Sequence, residues 1–214
     1  MQNYIFDFDG TLADSGETGV VATQKAFADL GLPEPTAADI SYYMGIPIEV
    51  SFKKMAPGHE FSDAEFEKLL QVFRKYYQEL ESKMLTLFPG IKEMLAELQT
   101  EQKGLYVVSS KHSKTLLRNL KSLGIDAYFT NILGADNVQN FKPAPDGVLQ
   151  VLELDNLDPD QTVMIGDAIF DLQMGKAAGV HTAAVTWGAH DRDSLAKEQP
   201  DYLIEQPADL TKLA

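Results

Sequence analysis

An α/β architecture follows from three features of the 214-residue sequence. It is a parallel sheet covered by helices on both faces, with a helical bundle inserted after its first strand. Tyr4-Ile5-Phe6 is a short apolar run that stops at Asp7-Phe8-Asp9-Gly10-Thr11, as a buried strand ending in a turn does. Residues 15–85 carry helical periodicity and no strand of length. Beyond Phe88-Pro89-Gly90, continuous apolar runs alternate with amphipathic ones, the pattern of strands buried on both faces. The first strand finds no partner in the helical stretch, so it must join the later sheet. The core is therefore split, residues 1–14 and 86–214, around an insertion of residues 15–85.

The elements are expected as follows. Val20, Val21, Phe27 and Leu30 recur at helical spacing, and Gly31 follows as a stop. Thr36-Ala37-Ala38-Asp39 opens a second helix, and Pro47 is placed as the first residue of a third. Ser62-Asp63-Ala64-Glu65 has the form of a capping box. Phe66, Leu69, Leu70, Phe73, Tyr76, Tyr77 and Leu80 then stripe one long helix, facing either the bundle or the sheet. Past residue 90, strands are expected at 105–108, 131–133, 162–165, 181–185 and 202–204. Helices are expected at 91–98, 113–123, 145–152 and 171–178, with Gly124 and Gly179 closing the second and fourth.

Charge and composition bound the function. Asp and Glu number 32 against 18 Lys and Arg, a net charge of −14. That disfavours nucleic acid and anionic membrane surfaces as partners. An anionic substrate would need a metal, a lysine or backbone N–H groups to receive it. The chain has no cysteine, which excludes thiol chemistry and fits a reducing compartment. No apolar run approaches the ~20 residues of a membrane span. No signal peptide is visible either, because a strand begins almost at once. A cytoplasmic location is the expectation.

Ligands of open parallel sheets bind beyond the carboxyl ends of the strands. The residues there are Asp7 and Asp9 after the first strand, and Ser109, Ser110 and Lys111 after the second. Gly166 and Asp167 follow the fourth, with Asp171 one helical turn later. Lys142 lies in Phe141-Lys142-Pro143, just before a helix. Two acids at a strand end repel one another and pay for desolvation, which a divalent cation relieves; hard oxygen ligands suit Mg²⁺. Carboxylates, a hydroxyl and one ammonium form a set for nucleophilic attack on a metal-held phosphoryl group. Singly, Ser109 is an ordinary strand-end cap, Lys142 a loop lysine and Asp171 an early-helix acid. Lys111 could face substrate or solvent. Asp14 and Ser15 open the insertion as a hinge or helix cap. His59, His112, His181 and His190 share no metal-ligand spacing and are assigned structural or surface positions.

Taken in order, these segments resemble the haloacid dehalogenase superfamily in its phosphatase branch. Asp7-Phe8-Asp9-Gly10-Thr11-Leu12 resembles its first motif, the strand ending at Ser109 its second, Lys142 its third, and Gly166-Asp167-Ala168-Ile169-Phe170-Asp171 its fourth. The likeness spans essentially the whole chain and implies a Rossmann-like core with a C1-type helical cap at 15–85. It also implies roles. Asp7 is the nucleophile that becomes an aspartyl-phosphate, and Asp9 the acid and base. Mg²⁺ is held by Asp7, Asp167 and the Asp9 carbonyl, with Asp171 acting indirectly. Lys142, Ser109 and the backbone N–H groups near Phe8, Asp9 and Ser110 bind the phosphoryl oxygens.

Within that family Asp9 argues against carbon–halogen substrates, whose enzymes lack this acid. Met44-Gly45-Ile46-Pro47 is followed by Ile48, so the lysine of phosphonoacetaldehyde hydrolases is missing. Tyr43–Ile48 and Thr186-Trp187-Gly188 resemble phosphoglycolate-phosphatase-like members, although Ala189 replaces an aromatic residue often found there. The partner implied is a small phosphorylated metabolite, with no oligomeric state specified. A β-phosphoglucomutase-like mutase, a sugar-phosphate or nucleotide phosphatase, and a non-catalytic binding protein on the same fold are the alternatives. The cap is expected to move as a lid, hinged near Asp14-Ser15 and Leu85–Phe88.

Overall fold

A computed structural model describes residues 1–213. Eight strands and nine α-helices are present among the described residues. In chain order they are β1 (Asn3–Phe6), β2 (Ala13–Asp14), α1 (Gly16–Asp29), α2 (Ala37–Tyr42), α3 (Ile48–Met55), α4 (Asp63–Met84), β3 (Thr86–Leu87), α5 (Ile91–Thr100), β4 (Gly104–Val108), α6 (Ser113–Ser122), β5 (Asn131–Leu133), α7 (Asp146–Asp155), β6 (Thr162–Gly166), α8 (Ile169–Ala178), β7 (His181–Val185), α9 (Arg192–Lys197) and β8 (Tyr202–Ile204).

The main sheet has six strands in the order β5-β4-β1-β6-β7-β8, all parallel. The first strand of the chain therefore lies inside the sheet, with β4 on one side and β6 on the other. Alternation of side chains sorts its residues between two layers. Tyr4 and Phe6 join Val107, Ile165 and Ala183 against Met94, Leu95, Leu98, Leu116 and Leu120 of α5 and α6. Ile5 joins Tyr106, Val108 and Met164 against Val148, Val151 and Met174 of α7 and α8. Both faces are covered, which is why the strands are apolar throughout.

Helices α1, α3 and α4 build a core of their own. Phe27 meets Phe52 edge-on at 5.5 Å between ring centroids, and Phe52 meets Phe73 at 5.1 Å. Phe66 and Tyr76 pack on this cluster too, so the aromatic stripe of α4 faces the bundle rather than the sheet. Leu85, at the end of the insertion, packs with the main core instead.

The boundaries differ from the sequence expectation in instructive places. Pro47 sits at the N-cap of α3 rather than at its first position, and Pro145 does the same for α7. Ser62 caps α4 by accepting from the Glu65 amide, but the Glu65 carboxylate lies against His59 at 3.0 Å, so the box is half-formed. α8 begins at Ile169, two residues early, because the Asp171 side chain accepts from the Ala168 amide and caps the turn. α9 escapes periodicity because only Leu195 in it is buried. The ladder β2–β3 pairs Ala13 with Leu87 and Asp14 with Thr86, too short to leave a pattern. It joins the two crossings between insertion and core. Ser15 begins α1 without a capping bond from its side chain.

The separate cap core should carry its own stability. Phe27→Ala is expected to cost about 3–5 kcal/mol, the range for truncating a buried aromatic ring. Urea unfolding followed by circular dichroism measures it, and a loss below about 1 kcal/mol would show that the bundle does not depend on this ring.

Candidate active site

Strand order assembles the site. β4, β1 and β6 are neighbours, so Ser109, Asp7 and Asp167 emerge side by side at the sheet's carboxyl edge. The turn after β1 is closed by Thr11, Leu12 and Ala13 amides donating to the Phe8 carbonyl. Gly10 has φ +81°, and a Cβ there would lie 2.1 Å from an Asp167 carboxylate oxygen. Glycine is required on both counts.

Lys142 bridges the acids. Its ammonium donates to Asp7 Oδ1 at 2.5 Å and to Asp171 Oδ1 at 2.6 Å, with all three side chains buried. Asp7, Asp167 and Asp171 each bring a carboxylate oxygen within 4.8 Å of the others. Asp167 accepts from the Thr11 hydroxyl at 3.0 Å and the Ala189 amide at 2.6 Å. Burial raises the Asp167 carboxyl to about 7, and the Asp171 charge adds to the shift. Burial likewise holds Asp7 well above the ordinary carboxylate value; Lys142 pulls it back, while Asp171 and Asp167 push it up. Burial alone would lower Lys142, but Asp171 and Asp7 outweigh it and hold the ammonium above its ordinary range.

Asp9 faces a cavity of about 580 Å³ between core and cap. Asp7, Ser109, Ser110 and Lys111 open on it from the core, and Tyr43, Met44, Phe52 and Tyr77 from the cap. Lys111 is not a solvated lysine: its Nζ lies 2.7 Å from Asp9 Oδ1 and 2.8 Å from the Tyr77 hydroxyl. Ser109 Oγ accepts from the Lys111 amide at 3.1 Å, and Ser110 Oγ donates to the Gly45 carbonyl of the cap at 3.0 Å. Phe8 turns its ring into the core, so only its backbone is placed to serve a ligand. Asp171 has one oxygen on Lys142 and the other on the Ala168 amide.

Several participants were invisible to motif reading. Arg118 holds Glu81 of the cap by two bonds, at 2.7 and 3.0 Å, and Asn119 adds a third at 2.8 Å. His190 accepts from the Ile169 amide through Nδ1, and its Nε2 meets the Tyr42 carbonyl of the cap at 3.0 Å. Trp187 donates to the Thr11 carbonyl at 3.0 Å. A Cβ on Gly188 would lie 2.3 Å from Asp167. The Thr186-Trp187-Gly188 run was the available signal, although no spacing rule ties it to Asp167. Of the other three histidines, His59 and His112 are exposed and His181 is half-buried, and none belongs to the acidic cluster.

A split parallel core, a helical cap and buried acids gathered around one lysine are the features of a capped α/β enzyme with a cavity between its two layers. The match to the haloacid dehalogenase-like hydrolase family runs over residues 4–185, and the chain belongs to that family. It is 32% identical over 208 residues to pyrophosphatase PpaX of Listeria innocua, covering 96% of this chain and 93% of that protein. It is 32% identical over 213 residues to phosphoglycolate phosphatase of Aquifex aeolicus, covering 100% and 96%. A crystal structure from Haemophilus somnus, described as a predicted phosphoglycolate phosphatase, superposes with a TM-score of 0.91 at 26% identity, covering 99% of this chain and 97% of that one.

The acidic cluster sets a pH dependence. The ordinary Asp167 value is 3.8 and the folded value about 7, so the folded state keeps a proton that the unfolded chain releases. That contribution is complete below about pH 4 and is lost as pH rises towards 7. In divalent-free buffer the melting temperature should therefore fall from about pH 5 to pH 7.5, and Asp167→Asn should flatten the fall. Added Mg²⁺ at the upper pH should restore it, because a ligand of the folded state stabilises that state. An identical slope in the variant would remove Asp167 as its source.

Proposed function

We propose that this protein, a phosphatase of the haloacid dehalogenase-like family, hydrolyses a small phosphate monoester of the phosphoglycolate type. The reaction would use Mg²⁺ and pass through an aspartyl-phosphate on Asp7. The observation that carries this reading is the Asp7 carboxylate at the sheet edge, fixed by Lys142, with Asp9 two residues on and facing the cavity. The relatives named above as phosphatases support it.

The residues suit a hard divalent ion. Asp7, Asp167 and Asp171 bring carboxylate oxygens within 4.8 Å of one another beside one ammonium, and Gly10 and Gly188 let the backbone close tightly around Asp167. Asp7, Asp167 and the Asp9 carbonyl would hold Mg²⁺. Asp171, with both oxygens engaged, would act through Lys142 and its neighbour Asp167. When bound, Mg²⁺ neutralises charge on the phosphoryl oxygens.

The protein's own groups supply the remainder. Asp7 attacks phosphorus in line while the bond to the leaving oxygen breaks, and Asp9 passes its proton to that oxygen. Asp9 then takes a proton from water as the water oxygen attacks phosphorus, and Asp7 is released with inorganic phosphate. Lys142 keeps Asp7 oriented. Ser109 and the amides of Phe8, Asp9 and Ser110 would receive the phosphoryl oxygens, so most of the acceleration is positioning and charge stabilisation.

A second reading, a sugar-phosphate or nucleotide phosphatase or a mutase, is favoured by the extent of the cavity, whose cap wall includes Ile40, Met44, Ile48 and Met55. Hydrolysis of phosphoglycolate, pyrophosphate, nucleoside monophosphates and p-nitrophenyl phosphate, with and without Mg²⁺, separates these readings. A coupled assay with a glucose phosphate detects a mutase.

Asp7→Asn should abolish turnover, because an amide cannot attack phosphorus; retained wild-type turnover would refute the nucleophile. Asp9→Asn should lower kcat by roughly 10²–10⁴-fold, the usual contribution of a positioned acid–base group. An unchanged kcat in that variant would take Asp9 out of the chemistry.

A further inference from the structure

We propose that Lys111 selects the leaving group, by binding a second anionic oxygen that the substrate carries close to its bridging oxygen. The inference rests on the phosphatase reading and adds a substrate class to it: a phosphate ester whose leaving group carries a carboxylate, or an anhydride whose leaving group is a phosphate.

Lys111 follows Ser109 by two residues on the loop after β4. Its ammonium lies 2.7 Å from Asp9 Oδ1, 2.8 Å from the Tyr77 hydroxyl and 3.3 Å from Asn119 Oδ1. The rings of Phe8 and Tyr77 flank it, with centroids 4.8 and 4.6 Å away. Its side chain is only 12% exposed, yet it lines the same cavity as Asp7 and Asp9. A cation so withdrawn from water must always have a counter-charge, because an unpaired buried charge is costly.

The other cations near the cavity are committed or outlying. Lys142 is shared by Asp7 and Asp171. Arg118 is held by Glu81 across the cap boundary. Arg74 pairs with Glu49 on the far wall, and its side chain is 47% exposed. Lys114 is exposed at the rim. In a chain of net charge −14, with four carboxylates close to the reacting centre, Lys111 is, among the described residues, the one buried cation beside the acid that serves the leaving oxygen.

Geometry then fixes what it would bind. When Asp9 acts, its carboxyl contacts the bridging oxygen. Lys111, one hydrogen bond beyond that carboxyl, lies on the order of 5 Å from the same oxygen. An anionic oxygen two or three bonds along the leaving group falls within its reach. As Asp9 turns from Lys111 to the bridging oxygen, that anion takes its place on the ammonium. A neutral leaving group offers no replacement, so its ester reaches the same arrangement at the expense of a buried, unbalanced lysine.

The test compares kcat/KM for phosphoglycolate, pyrophosphate and ethyl phosphate, the last having a small neutral leaving group. In the wild-type protein at least one anionic substrate should exceed ethyl phosphate by about 10-fold or more, the scale of one charge-assisted hydrogen bond. Which of the two does so identifies the anion. In Lys111→Gln, which keeps a donor but loses the charge, that ratio should fall by about 10–100-fold, mainly through KM, and Lys111→Arg should recover part of it. Equal kcat/KM for all three substrates in the wild type would overturn the proposal even if Lys111→Gln failed to fold. So would a loss in the variant that is the same for anionic and neutral substrates. No hydrolysis of any substrate by the wild type would instead refute the phosphatase reading itself.

Discussion

One ammonium among buried carboxylates governs this molecule. Lys142 sits between Asp7 and Asp171, with Asp167 alongside, so two buried acids share one cation and a third crowds them. Such an arrangement has a strong tendency to take up protons or a divalent ion. The surrounding structure opposes its collapse by giving the carboxylates fixed donors. Thr11 and Ala189 serve Asp167, and the Ala168 amide serves Asp171. The folding cost of gathering these acids is met by two well-packed layers of apolar side chains on either face of the sheet.

The cap completes what the sheet begins. Polar contacts join it to the core, Tyr77 on Lys111, Glu81 on Arg118 and Asn119, the Gly45 carbonyl on Ser110 and the Tyr42 carbonyl on His190, and the Tyr42 ring also stacks on His190 at 5.3 Å and meets Phe170 edge-on at 6.3 Å. Tyr77 also packs in the hydrophobic cluster of the bundle, where burial raises its hydroxyl to about 12. A single side chain thus belongs to the cap's interior and to the lining of the site. Chemistry on the core side and enclosure on the cap side meet at the Asp9–Lys111–Tyr77 line.

Much of this was legible in the sequence because strand ends leave strong marks. The apolar run before Asp7 and those before Ser109 and Asp167 located three strands and put their acids and hydroxyl at strand ends, while the neighbouring of these strands is visible only in the sheet order. Lys142 was legible only through the resemblance, since a loop lysine has no periodicity to betray it. Lys111 was left open because its burial depends on Tyr77, which is 34 residues away and belongs to another layer. Gly188 and Ala189 were missed as neighbours of Asp167 for the same reason: their role is a close approach of backbone to carboxylate, and such an approach leaves no pattern in composition. α8 begins earlier than its periodicity suggests because a side chain, Asp171, sets its first turn.

The two-residue ladder between β2 and β3 has a wider consequence. The chain leaves the core at Ala13–Asp14 and re-enters it at Thr86–Leu87, and these two points are hydrogen-bonded to each other. Seen from the sheet, the whole bundle is one excursion with a closed neck. Its length and contents can change without disturbing the register of β1 with β4 and β6, which is set elsewhere. Ancestral recombination or laboratory grafting could therefore exchange the bundle as a cassette. The acidic edge of the sheet would be inherited intact while the enclosure above it was rewritten.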